Sequence, residues 1–154
     1  MSVVIKHGNL LDDDAEALVN PVNCVGAMGR GLALQFKERY PDMFAEYRRR
    51  CRDGSLRPGC VMLYPIRGPV PRFLVGFPTK DHWRDPSRLE WVRAGLHGLA
   101  DVCEDRGIAS IAVPPLGCGL GGLRWPDVRA LIEEILVPGA PNTEIRIYPP
   151  EEYA

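Results

Sequence analysis

The chain has 154 residues, 45% of them hydrophobic and 25% charged, with a formal net charge of −1. That is the length of one domain, residues 1–154, able to bury a real core, and the composition excludes a disordered chain or a coiled coil. The near-neutral balance removes any global pull toward nucleic acid or membrane, and no apolar run reaches the roughly 18 residues of a membrane span.

A first strand is expected over residues 3–5, running into His7-Gly8-Asn9-Leu10. Three consecutive acids, Asp12 to Asp14, read as a solvated turn or a helix start rather than a metal site. A second strand over 17–20 ends at Pro21 and opens a glycine-rich loop, Asn23-Cys24-Val25-Gly26-Ala27-Met28-Gly29-Arg30-Gly31. The helix that follows carries Leu32, Ala33, Phe36 and Tyr40 as its core stripe. Pro41 separates it from another with Met43, Phe44, Tyr47 and Cys51, which stops at Asp53-Gly54. Residues 60–65 and 72–77 read as two strands joined by a Gly/Pro turn, and the second delivers Pro78-Thr79-Lys80-Asp81-His82-Trp83-Arg84. Ser87 and Glu90 match a capping box for a helix bearing Leu89, Val92, Leu96, Leu99 and Cys103, which ends before Gly107. A buried strand over 108–113, a second glycine loop from Pro114 to Trp125, a helix over 126–136 and a strand over 144–148 complete six strands and four helices. The class is α/β.

The second loop has the sharper chemistry. Glycines let backbone N–H groups converge on a ligand, and the following helix N-terminus adds positive partial charge, so strand, glycine loop and helix together suit a diphosphate. Gly117, Gly119 and Gly122 match the dinucleotide fingerprint G-x-G-x-x-G, but only one further strand follows, too few for the fold that motif normally opens. A P-loop lysine motif is absent. Both glycine loops follow strands, which places them together at the ligand-binding edge of an open α/β sheet, where they can clamp one extended phosphate ligand.

Five cysteines, odd in number and without C-x-x-C spacing, and three scattered histidines make neither a zinc site nor a disulfide framework. A reducing cytoplasm fits, and no metal is expected. Arg48-Arg49-Arg50-Cys51-Arg52 reads as the solvated face of a helix, with a phosphate-backbone patch as the other reading.

Taken together, the segments resemble a macrodomain, the ADP-ribose-binding family, and within it the DarG type of DNA ADP-ribosyl glycohydrolase. The resemblance rests on Asn23 to Ala33, on Phe77-Pro78-Thr79-Lys80-Asp81-His82-Trp83-Arg84, and on Pro115-Leu116-Gly117-Cys118-Gly119. It implies a three-layer α/β/α fold with a mixed, roughly six-stranded central sheet. It also implies removal of ADP-ribose from thymidine in single-stranded DNA, countering a DarT-type toxin that attaches it. The implied ligand and product is ADP-ribose, without a further cofactor, and the domain is expected to act as a monomer. Such proteins usually carry a second, toxin-neutralising domain, so this chain reads as a domain taken from a longer antitoxin.

By the same resemblance Lys80 is the catalytic residue, meeting the anomeric carbon of the distal ribose. A lysine desolvated in an apolar cleft can act as nucleophile or proton carrier. Asn23 would hold the distal ribose, with loop capping as its other reading. Met28, Gly29, Gly31 and Leu32 would bring the first loop against the distal phosphate and ribose. The backbone of Gly117, Cys118, Gly119, Leu120, Gly121, Gly122 and Leu123 would wrap the diphosphate, with the Cys118 side chain as packing. Gly8, Asn9 and Leu10 would receive adenine. Asn9 stands where many macrodomains have an aspartate, and offers its carbonyl oxygen to the adenine amino group. Tyr148 either stacks on adenine or packs in the core. His82 and Trp83 are candidates to stack a DNA base, with Trp83 equally readable as core. Related lysine-dependent enzymes carry an acid at the position of Gly121, which here has no side chain, so the partner of Lys80 stays open.

Overall fold

Alternating side chains along the strands divide the interior into two cores, one on each face of a single sheet. In the computed structural model, which describes residues 2–153, the strands lie in the order β1-β6-β5-β2-β4-β3. They are β1 (Ser2–Ile5), β2 (Ala17–Val22), β3 (Met62–Pro65), β4 (Phe73–Pro78), β5 (Ser110–Val113) and β6 (Glu144–Ile147). All neighbours pair parallel except β3 with β4, so the sheet is mixed. Ala17 and Val19, Phe73, Val75 and Phe77, and Ile111 and Val113 face one core. Leu18 and Val22, Leu74 and Ala112 face the other.

The first face is covered by α3 (Leu89–Arg106) and α4 (Trp125–Leu131), the second by α1 (Gly31–Arg39) and α2 (Pro41–Arg52). The result is the expected three-layer α/β/α arrangement. The predicted stripe of α3 is buried at Val92, Leu96, Leu99 and Cys103, and the helix closes on Gly107 in the left-handed conformation.

Four local expectations are corrected. β2 continues through Pro21 to Val22. Val22 accepts from Thr79 N–H on the β4 side, so Pro21 points its missing N–H toward β5, whose pairing has already stopped at Leu18. The capping box at Ser87 does not form: α3 starts at Leu89 with Arg88 as an uncapped N-cap. The Ser87 N–H instead donates to the Gly121 carbonyl at 2.9 Å. The last long helix does not stop at 136 but runs through a π-helical turn (Ile132–Leu136) into Val137–Gly139. Pro138 lacks an N–H and its ring crowds the carbonyl four residues back, which accounts for the wider turn before it. Finally, the acidic turn is not simply solvated, because the Asp13 side chain is fully enclosed.

Candidate active site

Five parallel strands bring their carboxyl ends to one edge. β2 continues toward β4 on one side and β5 toward β6 on the other, so the chain reverses direction across the sheet between β2 and β5. Open α/β sheets bind ligands at that switch point. The segments leaving this edge are those the sequence singled out: His7 to Leu10, Asn23 to Gly31, Thr79 to Arg84, Pro114 to Arg124, and Tyr148.

At one end of the edge the first, fourth and last of these segments, with the start of α1, line a cleft of about 450 Å³. Gly8, Asn9 and Leu10 line it from β1, Leu32 and Gln35 from the start of α1, Pro114 and Pro115 from β5, and Tyr148 from β6. The N-cap of α1, Arg30, makes no side-chain cap, so the first-turn N–H groups of that helix are left for a ligand. Tyr148 is 7% exposed. Its hydroxyl donates to Asp13 Oδ2 at 2.5 Å, while Oδ1 of the same carboxylate accepts from Arg146 Nη1 at 2.6 Å and Ala15 N–H at 2.8 Å. Burial works against the Asp13 charge, but the Tyr148 hydroxyl, the Arg146 guanidinium and the Ala15 N–H together hold its carboxyl below the usual range. Burial, then the carboxylate, push the Tyr148 phenol up. The tyrosine ring is thereby fixed as a cleft wall. Asp13 was missed by the sequence reading, and its only signal was an acid run two residues before a buried strand. Asn9 is partly spent: its Oδ1 accepts from Leu11 N–H at 3.1 Å and its Nδ2 donates to Gln35 Oε1 at 3.0 Å.

At the other end sits Lys80. Thr79 N–H to Val22 O (2.9 Å) and Cys24 N–H to Asp81 O (3.0 Å) tie its segment to β2 and the first glycine loop. The ammonium donates to the Trp83 carbonyl at 3.2 Å, and the side chain is half-buried, so the expected apolar cleft around it is not found. Lys80 Cε lies 3.9 Å from the point where a Cβ on Gly121 would stand, which brings the lysine and the second loop together.

That loop contains a 3-10 turn, Gly119–Gly121, and Gly117 takes φ +74°, a conformation in which a side chain would also strike Leu123 and Ser87. Leu123 N–H bonds back to the Gly117 carbonyl and Gly122 N–H to the Gly119 carbonyl, which folds the loop into a tight arch of the kind that can cradle a diphosphate. Burial pushes the Cys118 thiol up to about 11, and its Sγ contacts Leu116 O at 3.8 Å, so it stays protonated and packs. In the first loop Gly29 and Gly31 have open space where a Cβ would be, whereas Met28 is 2% exposed in the core and offers only its backbone. Asn23 is the loop's own clasp: Nδ2 donates to Ala27 O at 2.9 Å, and Oδ1 accepts from Val25 N–H at 3.1 Å and Tyr47 hydroxyl at 2.7 Å. One Nδ2 hydrogen remains for a ligand.

Trp83 is 55% exposed, outside both cores, with the His82 ring 5.2 Å away and the Arg84 guanidinium 5.2 Å above its face. Val25 and Leu120, on the two glycine loops, are also exposed at 47% and 73%. Within the Arg48–Arg52 run, Arg49 and Arg50 share Glu46 at 2.6 and 2.9 Å, while Arg48 lies over the Phe44 ring. No group of three or more His, Cys, Asp or Glu side chains among the described residues could hold a metal ion.

The Macro domain family model matches residues 19–132, and the chain belongs to the macrodomain family. Within that family its likeness runs to the DarG macrodomains. That of Mycobacterium tuberculosis DarG superposes with a TM-score of 0.92 at 46% identity, covering 97% of this chain and 98% of that one. The Thermus aquaticus protein named DNA ADP-ribosyl glycohydrolase is 47% identical over 148 residues, 95% of this chain and 41% of that protein. Thermosipho africanus DarTG, solved in complex with ADP-ribose, matches with a TM-score of 0.87 at 31% identity, over 97% of this chain and 42% of that one. The chain spans about two fifths of the length of the curated relatives it matches.

Proposed function

We propose that this domain removes ADP-ribose from thymidine in single-stranded DNA, opposing a DNA ADP-ribosyltransferase toxin of the DarT type. The observation that carries the reading is the junction of Lys80 with the glycine cradle at Gly121, at the far end of an edge that begins with the Tyr148 cleft. An extended ligand with a nucleoside at one end, a diphosphate in the middle and a scissile ribose at the other fits that order. Relatives 47–49% identical bear the name DNA ADP-ribosyl glycohydrolase, which supports DNA rather than protein as the modified polymer.

In the reaction, the bond from the anomeric carbon to the base nitrogen breaks. The electron pair stays on the nitrogen, which takes a proton, and water supplies the hydroxyl that completes ADP-ribose. The second glycine loop holds the diphosphate, so the anomeric carbon is presented at Lys80. The lysine ammonium is the proton carrier nearest that carbon. The leaving base then meets the exposed Trp83, whose indole, stiffened by Arg84, is a stacking surface for it or its neighbour.

The test is incubation of the purified domain with an oligonucleotide bearing one ADP-ribosylated thymidine, beside a glutamate-ADP-ribosylated protein. Release from DNA alone, lost in Lys80→Ala, is expected. Release from protein alone would make it an ester hydrolase, and tight ADP-ribose binding without release would make it a reader.

A further inference from the structure

Two buried side-chain atoms among the described residues have no hydrogen-bond partner, Asn20 Oδ1 and Ser87 Oγ. Asn20 lies in the second core beside Met28, to whose sulfur its Nδ2 donates at 3.7 Å. Ser87 is different, because it lies against the catalytic lysine. The residue is 6% exposed and held by its own N–H on the Gly121 carbonyl at 2.9 Å. Its hydroxyl fills the place that a Cβ on Gly121 would take, and Lys80 Cε is 3.9 Å from the same point. A buried hydroxyl without a partner costs stability, and such a cost is commonly retained where the group is used in another state.

We propose that Ser87 is a positioning residue for Lys80. In the free domain the ammonium rests on the Trp83 carbonyl. When a ligand fills the cradle, rotation about the end of the lysine side chain exchanges that carbonyl for the Ser87 hydroxyl, which accepts from the ammonium. The hydroxyl thus fixes the lysine over Gly121, where the diphosphate loop presents the ribose. Gly121 is required to be glycine by the same geometry, since any side chain there displaces the hydroxyl.

This inference rests on the hydrolase reading above, and the experiment separates the two. Ser87→Ala should lower kcat on modified oligonucleotide about ten- to a hundredfold, with the Kd for ADP-ribose unchanged and the melting temperature raised, since the unpartnered hydroxyl is gone. Ser87→Thr, which keeps the hydroxyl, should restore most of the rate. Gly121→Ala should lower kcat at least as far as Ser87→Ala, and combining the two should cost kcat little more than Gly121→Ala alone. Unchanged kcat in Ser87→Ala overturns the proposal. So does a joint fall of rate, affinity and melting temperature that Thr does not restore, which would make Ser87 a loop support. The Lys80 Cε resonance in the ADP-ribose-bound domain supplies a readout that needs no turnover: it should move in Ser87→Ala and return in Ser87→Thr. If the wild type releases nothing from DNA, the hydrolase reading fails, and this resonance alone decides whether Ser87 holds Lys80.

Discussion

The two ends of the binding edge are built on opposite principles. At the Tyr148 end each wall is wired into the sheet: the tyrosine to Asp13, Asp13 to Arg146 and Ala15, and Arg146 onward to Glu144 and Asp14. At the Lys80 end the wall is loop, the lysine is half-buried and its one partner is a carbonyl three residues away. A base-recognition pocket gains from rigidity, since a pre-formed wall pays no ordering entropy when the ligand arrives. At the Lys80 end the backbone is anchored by Thr79 and Asp81, and only the lysine side chain is free to change partner. Stability is thereby lodged at one end of the edge and the proposed chemistry at the other.

Breaking the Lys80 end should show in rate alone. Lys80→Ala is expected to lower kcat on modified DNA about a thousandfold, within the range assigned to a lost acid–base group, while the melting temperature stays put. A comparable loss of ADP-ribose binding would instead make Lys80 an anchor. Breaking the wired end should show in stability. Asp13→Ala leaves the Tyr148 hydroxyl without its buried partner while Arg146 keeps Glu144 and Asp14, and about 1–3 kcal/mol should be lost in denaturant unfolding. The pH dependence has a defined sign. The Asp13 carboxyl titrates lower folded than unfolded, so its stabilisation is present above an unfolded value of about 3.9 and is lost as the pH falls through the folded one. Asp13→Asn should flatten that acid limb, and an unaltered limb would show that the cluster does not report on folding.

The same contrast explains what could be read from the sequence. The strands, the helix stripes and the two glycine loops are local patterns, and alternation or helical spacing reveals them wherever the chain ends up. Lys80 was singled out by its motif, not by its surroundings, and its exposure differs from the apolar cleft expected. Asp13 was read as solvated because its partners, Arg146 and Tyr148, lie more than 130 residues away and meet it only when β6 enters the sheet. Ser87 was misread for a related reason. Its spacing to Glu90 satisfies a capping box, but the N–H it shares with Gly121 and the loop packed over it are tertiary. Asn23 spends its side chain on the capping that had been its other reading, which only the fold of the loop could decide.

Smaller changes sharpen the contrast between ligand and polymer. Trp83→Ala should raise KM for modified oligonucleotide about tenfold or more, the worth of one stacked base, and leave the Kd for free ADP-ribose unchanged. An equal effect on both would place the indole against ADP-ribose itself.

The smallest effect is expected from the run that looks most like a nucleic-acid patch. Arg49 and Arg50 converge on Glu46, and Arg49 also faces Asp53 at 3.7 Å, so much of the positive charge on α2 is already answered within the helix. Phosphate contacts announce themselves by counterion release, and each one lost should reduce the salt slope of binding by about one. Arg49→Glu with Arg50→Glu should therefore leave both the oligonucleotide affinity and its salt slope where they were. A shallower slope would move the DNA path off the Trp83 rim and along α2, and would require the polymer to cross the outer face of the first glycine loop, where Arg48 already lies against Gly26.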